Sequence, residues 1–247
     1  MDLPNGREGL EAFRIASLPP EFYYIPNFIT ASEEASILDK IPANRWITLS
    51  HRRLQTHPST LTKTNTLLGA PLPPYLLNPI TERFKKLGIF DATPHRQPNH
   101  VLINEYRKGE GIMPHEDGAA YAPVVATVSL GGSLCLEITG KGSAAVDEAE
   151  SRSGEEEKYA LPTRILQEPR SLLVTRGAAY GELLHGIAAV EADEGLRGET
   201  VANWGMLGDR GVYGEGRNER GTRVSLTYRD VLKVSGAASK VLGMGRR

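Results

Sequence analysis

The spacing of hydrophobic positions changes near residue 98: before it apolar side chains recur at helical period, and after it they alternate or fall in short runs. Thr30-Ala31-Ser32-Glu33 has the spacing of a capping box, and Ala35, Leu38 and Ile41 continue on one helical face. A second helix is predicted from about Pro74, burying Leu76, Leu77, Ile80, Phe84 and Leu87, with Pro79 as a kink and Gly88 as a left-handed cap. Helical signals are confined to this N-terminal third. From Asn99 onward HVLINEY, VVATVSL, SLCLEI, TRILQ, SLLVT and TRVSLTYRDV read as strands punctuated by Gly and Pro. Short strands with little helix between them predict a mainly β chain with N-terminal helices, a sandwich or jelly roll and not a doubly wound sheet. The Gly-rich stretch from about Glu191 to Gly221 is expected to be a long functional or mobile loop.

The 247 residues suffice for one large domain. Residues 1–97 are expected to form a helical and lid segment packed on a core of 98–232, the helices completing a single domain. Cys135 is the only cysteine, which excludes an intramolecular disulfide and suits a reducing compartment. The start carries Asp2 and Glu8 and no apolar run, and no stretch is long and apolar enough to cross a bilayer. A soluble protein of the cytoplasm and/or nucleus follows, with no membrane partner and a monomer as the expected state. The net charge of −1 hides an asymmetry: from Lys40 to Thr81 there is no acid, while Lys40, Arg45, Arg52, Arg53 and Lys63 are basic. The balancing acid is concentrated near 140–158, expected to be a flexible insertion, and residues 233–247 form a basic tail.

Several common active sites are excluded. His115-Glu116 has no histidine at 119, so there is no H-E-x-x-H zinc helix, and neither a P-loop nor a G-x-S-x-G elbow is present. What remains is His115-x-Asp117, which on a strand would place an imidazole and a carboxylate on one face. His185, flanked by Leu183, Leu184 and Ile187, is the candidate third ligand of a two-histidine, one-carboxylate triad on Fe(II). Each part is weak alone, since an isolated buried histidine is more often structural. In Arg223-Val-Ser225-Leu-Thr227-Tyr-Arg229 four polar side chains alternate with three apolar ones. The polar face either meets water or lines a pocket, where arginine forks suit the carboxylates of a small diacid. Asn104 and Tyr106 share another strand face and offer an amide and a phenol.

Taken in order, NEYRKGEGIMPHEDG, SLLVTRGAAYGELLHGI and RGTRVSLTYR resemble the AlkB-like Fe(II)- and 2-oxoglutarate-dependent dioxygenases, the phrases GIMPHEDG and LHGI being closest to the sixth AlkB homologue subfamily. The resemblance runs from about Pro26 to Val231. It implies a double-stranded β-helix core with His115, Asp117 and His185 on iron. It also implies that Arg223, helped by Tyr106 and Ser225, holds the distal carboxylate of 2-oxoglutarate, with Arg229 and Asn104 at the end near the metal and Thr227 on the same face. Ser225 stands where several relatives have asparagine. The cofactors implied are Fe(II), 2-oxoglutarate and O2, and the reaction is hydroxylation of an N-alkyl carbon followed by release of an aldehyde.

The implied substrate is alkylated DNA or RNA, with a nucleotide flipped beneath a lid from the acid-free stretch. Arg52, Arg53 and Lys63 are candidates for phosphate contacts, and Trp46 or Tyr75 for stacking on a base. The segment Leu54–Pro58 is shorter and less aromatic than the family's lids. Two alternatives stay open: a protein hydroxylase or demethylase of the same superfamily, and a non-catalytic jelly-roll binding module.

Overall fold

The alternation in the later two-thirds of the chain becomes two antiparallel sheets in the computed structural model, which describes residues 4–141 and 161–236. In chain order the strands are β1 (Phe22–Ile25), β2 (Ile47–Leu49), β3 (Arg52–His57), β4 (Thr66–Leu68), β5 (His100–Tyr106), β6 (Ile112–His115), β7 (Tyr121–Gly131) and β8 (Leu134–Gly140). They continue as β9 (Thr163–Gln167), β10 (Leu172–Arg176), β11 (Leu183–Ile187), β12 (Ala192–Glu194), β13 (Arg217–Glu219), β14 (Arg223–Val231) and β15 (Lys233–Ser235). The major sheet has seven strands in the order β1-β10-β7-β14-β5-β3-β2, and the minor sheet four in the order β6-β11-β8-β9. This is the predicted jelly roll. The basic stretch contributes to it directly, because β3 pairs with β5 and β2 closes the edge.

Strand β14 is the centre of the major sheet, and all nine of its residues are buried. Val224, Leu226 and Tyr228 turn outward into an apolar layer beneath the N-terminal helices, where the Tyr228 hydroxyl donates to the carbonyl of Leu76 at 2.8 Å. The polar residues of the alternation are therefore forced to the inner face. Helix α1 (Gly6–Glu11) is short. Helix α2 (Ala31–Lys40) has the full predicted capping box, Thr30 accepting from the Glu33 amide and Glu33 from the Thr30 amide. The second predicted helix is two pieces, α3 (Pro74–Leu77) and α4 (Ile80–Lys86), because Pro79 cannot supply the amide that would join them. Gly88 takes the left-handed conformation at φ 64°, as expected of a cap.

Two expectations need correction. A helix, α5 (Gly177–Glu182), lies outside the N-terminal third; its Ala178-Ala179-Tyr180 core has the propensity, but six residues are too few to show a period. The stretch 191–221 is not an open loop: β12 pairs with β13, and Arg220 is ion-paired to Asp193 at 2.6 Å with both side chains 3% exposed. The carboxylate of Glu168 also accepts the backbone amides of Gly208 and Asp209 and the hydroxyl of Tyr24, tying that stretch to the major sheet. The acidic insertion, apart from its first residues, and the tail beyond 236 lie outside the described residues. Among those described, no helix is long and apolar enough to cross a membrane.

Candidate active site

Between the inner faces of the two sheets lies a cavity of about 280 Å³. Its wall includes His115, Asp117 and His185, and also Asn104, Tyr106, Arg223, Ser225, Thr227 and Arg229. These nine side chains come from elements far apart in sequence, and the strand register brings them together.

On the minor sheet His185 of β11 is the direct antiparallel partner of His115 on β6, and the two imidazoles lie 4.5 Å apart between ring centres. The approach of the strands needs glycine. A Cβ at Gly111 would sit 2.2 Å from the carbonyl oxygen of Ile187, and one at Gly186 would sit 2.9 Å from the nitrogen of Pro114. Nδ1 of His115 lies 2.9 Å from the carbonyl of Met113, which makes that nitrogen the donor and leaves Nε2 with a lone pair. His185 is pushed down to about 4 by desolvation, against the opposing charge of Asp117, so it is neutral at neutral pH.

Asp117 lies two residues past the end of β6, not on the strand itself, with its side chain only 5% exposed. Burial alone would raise its carboxyl, but Arg229 and then His185 hold it below the usual value. Its carboxylate is ion-paired to Arg229, and among the described residues no three histidine, cysteine or acidic groups already enclose one point. The donor set nevertheless fits a divalent iron: two imidazoles and one carboxylate held below its usual value line one cavity. Tyr180 of α5 donates its hydroxyl to the carbonyl of Gly118 at 2.9 Å, fixing the turn that carries Asp117.

The opposite wall is cationic. In the register of β14 on β5, Arg223 faces Tyr106, Ser225 faces Asn104, Thr227 faces Leu102 and Arg229 faces His100. Arg223 and Arg229 stand six residues apart on β14 and both reach the cavity. Among the described residues the Nε atoms of Arg52, Arg223 and Arg229 are buried without a hydrogen-bond partner, three donors that an anionic ligand would satisfy. Desolvation raises the Tyr106 phenol, partly offset by Arg52 and Arg223, so it remains a neutral donor.

Of the predicted lid residues only Arg52 lines the cavity. Arg53 is ion-paired to Glu105 at 2.6 Å, and its guanidinium covers the ring of Trp46 at 4.4 Å, so the indole is stacked on by the protein itself. Alternation explains the split: neighbours on β3 face opposite sides, Arg52 inward and Arg53 outward. Lys63 is exposed in a turn before β4, and the Tyr75 hydroxyl lies 3.4 Å from Nε2 of His57.

Sequence reasoning missed Gln167, Tyr121 and Tyr180, all in the cavity wall. The Arg229 guanidinium lies 4.9 Å over the Tyr121 ring. Gln167 had a legible signal: in Thr163-Arg-Ile165-Leu-Gln167 it shares the inward face with Ile165, a polar group where an apolar one is the norm.

A family model described as the 2OG-Fe(II) oxygenase superfamily matches residues 48–229. The chain is 38% identical over 228 residues to a Danio rerio protein named probable RNA/DNA demethylase ALKBH6, covering 91% of this chain and 92% of that one. It is 27% identical over 217 residues to the uncharacterized protein L905 of Acanthamoeba polyphaga mimivirus, covering 86% and 85%. Among solved structures, an oxidoreductase of the 2OG-Fe(II) oxygenase family from Burkholderia pseudomallei superposes with a TM-score of 0.50 at 12% identity, covering 85% of this chain and 84% of that one, a likeness of fold.

Proposed function

Since this chain belongs to the 2OG-Fe(II) oxygenase superfamily, as an AlkB-like member, we propose that it removes N-alkyl groups from DNA or RNA by oxidation. It is a 2-oxoglutarate-dependent dioxygenase, and the family implies Fe(II), 2-oxoglutarate and O2. The observation that carries the proposal is one cavity in which two imidazoles and a carboxylate face three guanidinium groups whose Nε atoms have no partner among the described residues.

In this reading His115, Asp117 and His185 hold the iron. Iron with 2-oxoglutarate and oxygen supplies the oxidising power that hydroxylates an alkyl carbon bound to nitrogen. The chain's own groups do the rest. The Met113 carbonyl fixes the His115 tautomer, and Arg229 keeps Asp117 ionised. Arg223 and Tyr106, opposite one another on β14 and β5, bind the distal carboxylate of the co-substrate. Ser225, Asn104 and Thr227 offer hydrogen-bonding groups along the same wall, and Leu173, Val125 and Leu136 keep water from the reacting end. The hydroxylated carbon then leaves as an aldehyde, restoring the N–H of the base.

The nucleic-acid half of the proposal is supported by the name of the Danio rerio relative and by the acid-free stretch, from which Arg52 reaches the cavity to meet a phosphate or the substrate's polar edge. The same reading places the protein with nucleic acid, in the cytoplasm or nucleus, as a monomer. The test is to incubate the purified protein with Fe(II), 2-oxoglutarate and a panel of N-methylated DNA and RNA oligonucleotides. Expected are succinate and formaldehyde in equal amounts, both lost in His115→Ala. Succinate without formaldehyde from any oligonucleotide would overturn the nucleic-acid assignment and direct the search to hydroxylated peptides.

A further inference from the structure

We infer that Gln167 is the positioning residue that selects a dicarboxylate co-substrate: its neutral amide clamps Arg223 and leaves the guanidinium charge for the incoming carboxylate. This rests on the proposed function above. Arg223 is 2% exposed. Its Nη2 donates to Gln167 Oε1 at 2.5 Å and to Ser129 Oγ at 2.9 Å, and Ser129 Oγ donates to the same Oε1 at 3.0 Å. Among the described residues no carboxylate is ion-paired to it; the acid on the adjoining stretch, Asp193, is taken by Arg220.

A buried guanidinium held only by neutral groups is costly, and desolvation pushes Arg223 down to about 10. The protein could have cancelled that cost with an acid at 167. It carries an acid one position on, at Glu168, but that side chain is committed to Tyr24 and the amides of Gly208 and Asp209. Chemistry also fixes the amide's orientation. A guanidinium only donates, so the oxygen of Gln167 must face it, and the nitrogen makes no hydrogen bond within the described residues. Gln167 lies in the cavity wall, where that nitrogen is a second donor for the ligand. Geometry and charge thus agree: the amide aims Arg223 without spending its charge.

The test uses full-length protein loaded with Mn(II), and titration of 2-oxoglutarate followed by calorimetry, so that binding is read without turnover. Gln167→Glu keeps the shape and closes an internal ion pair; it is expected to weaken 2-oxoglutarate binding at least tenfold while leaving the melting temperature equal or higher. Gln167→Met removes the clamp without adding charge and is expected to weaken binding threefold or more, less than Gln167→Glu. In steady state the change should fall on KM for 2-oxoglutarate, with kcat little altered. The inference is overturned if Gln167→Met binds as wild type within twofold, a comparison that stands even if Gln167→Glu does not fold, or if Gln167→Glu binds as well as Gln167→Met. Wild-type protein that takes up no 2-oxoglutarate would instead overturn the functional proposal itself.

Discussion

Arg229 on β14 is ion-paired to Asp117, two residues beyond β6, and the two side chains are 8% and 5% exposed. The pair spans the cavity from the major sheet to the wall that carries His115 and His185, so one arginine couples the two halves of the site. It holds the carboxyl below its usual value where burial alone would raise it.

Removing one partner of such a pair leaves an uncompensated buried charge. Arg229→Met is expected to destabilise the metal-free protein by about 3–5 kcal/mol, whereas the double change Arg229→Met with Asp117→Leu recovers most of that loss. Urea unfolding of the two variants checks this. Equal stability of wild type and Arg229→Met would mean that the pair is solvated and does not organise the site.

The pairing of His115 with His185 depends on backbone approach at Gly111. A Cβ there would lie 2.2 Å from the carbonyl oxygen of Ile187, a distance that no small rotation relieves. Gly111→Ala is expected to force β6 away from β11 and weaken Mn(II) or Fe(II) binding at least tenfold, measured by calorimetry. Gly205→Ala, at an exposed position where a Cβ would meet nothing within 4 Å among the described residues, serves as the control and should bind metal as wild type.

That His115, Asp117 and His185 line one cavity could be read from sequence because the signals are local or ordered: His115-x-Asp117, then an imidazole inside an apolar strand. The expectation that His115 and Asp117 share a strand did not hold, since β6 ends at His115, but the turn pinned by Tyr180 carries Asp117 into the same cavity. Alternation on β14 left two choices for its polar face, and only the layer formed by Val224, Leu226 and Tyr228 under the helices settles which is inner. The lid was less legible. Arg52 and Arg53 are chemically alike, and what separates them is which side of β3 each takes once it pairs with β5. Alternation marks Gln167 as an inward polar group, but its partner Arg223, and the partner of Tyr121, Arg229, are distant in sequence and neither segment alone names them.

The split between Arg52 and Arg53 predicts opposite phenotypes. Arg53→Ala breaks a partly exposed ion pair with Glu105 and uncovers Trp46, and should cost roughly 1 kcal/mol of stability with KM values unchanged. Arg52→Ala removes a cavity-lining cation with no ion-pair partner among the described residues; stability should stay within about 0.5 kcal/mol while KM for the oligonucleotide rises several-fold. Denaturant titration with steady-state kinetics on both variants separates the roles, and a stability loss confined to Arg52→Ala would reverse the assignment.

His100 gives a pH signature. It is 2% exposed, and its ring packs 6.0 Å from that of Tyr121. Desolvation, then the charge of Arg229, lowers it to about 4. His57 and His185 are likewise lowered to about 4, desolvation again leading. A histidine with a folded value below its unfolded value of about 6.5 takes up its proton first in the unfolded chain. Its stability contribution is therefore complete above about pH 6.5 and is lost as pH falls toward 4, at about 1.4 kcal/mol per pH unit for each group. Metal-free wild-type protein should lose stability steeply between pH 6.5 and 4. His100→Phe, which keeps an aromatic ring and removes the titrating nitrogens, should flatten that slope by about one proton and raise stability at pH 5. Urea titrations at pH 7, 6 and 5 read the slope directly; an unchanged slope would mean that the imidazole meets water or a partner in solution and is not held neutral by the fold.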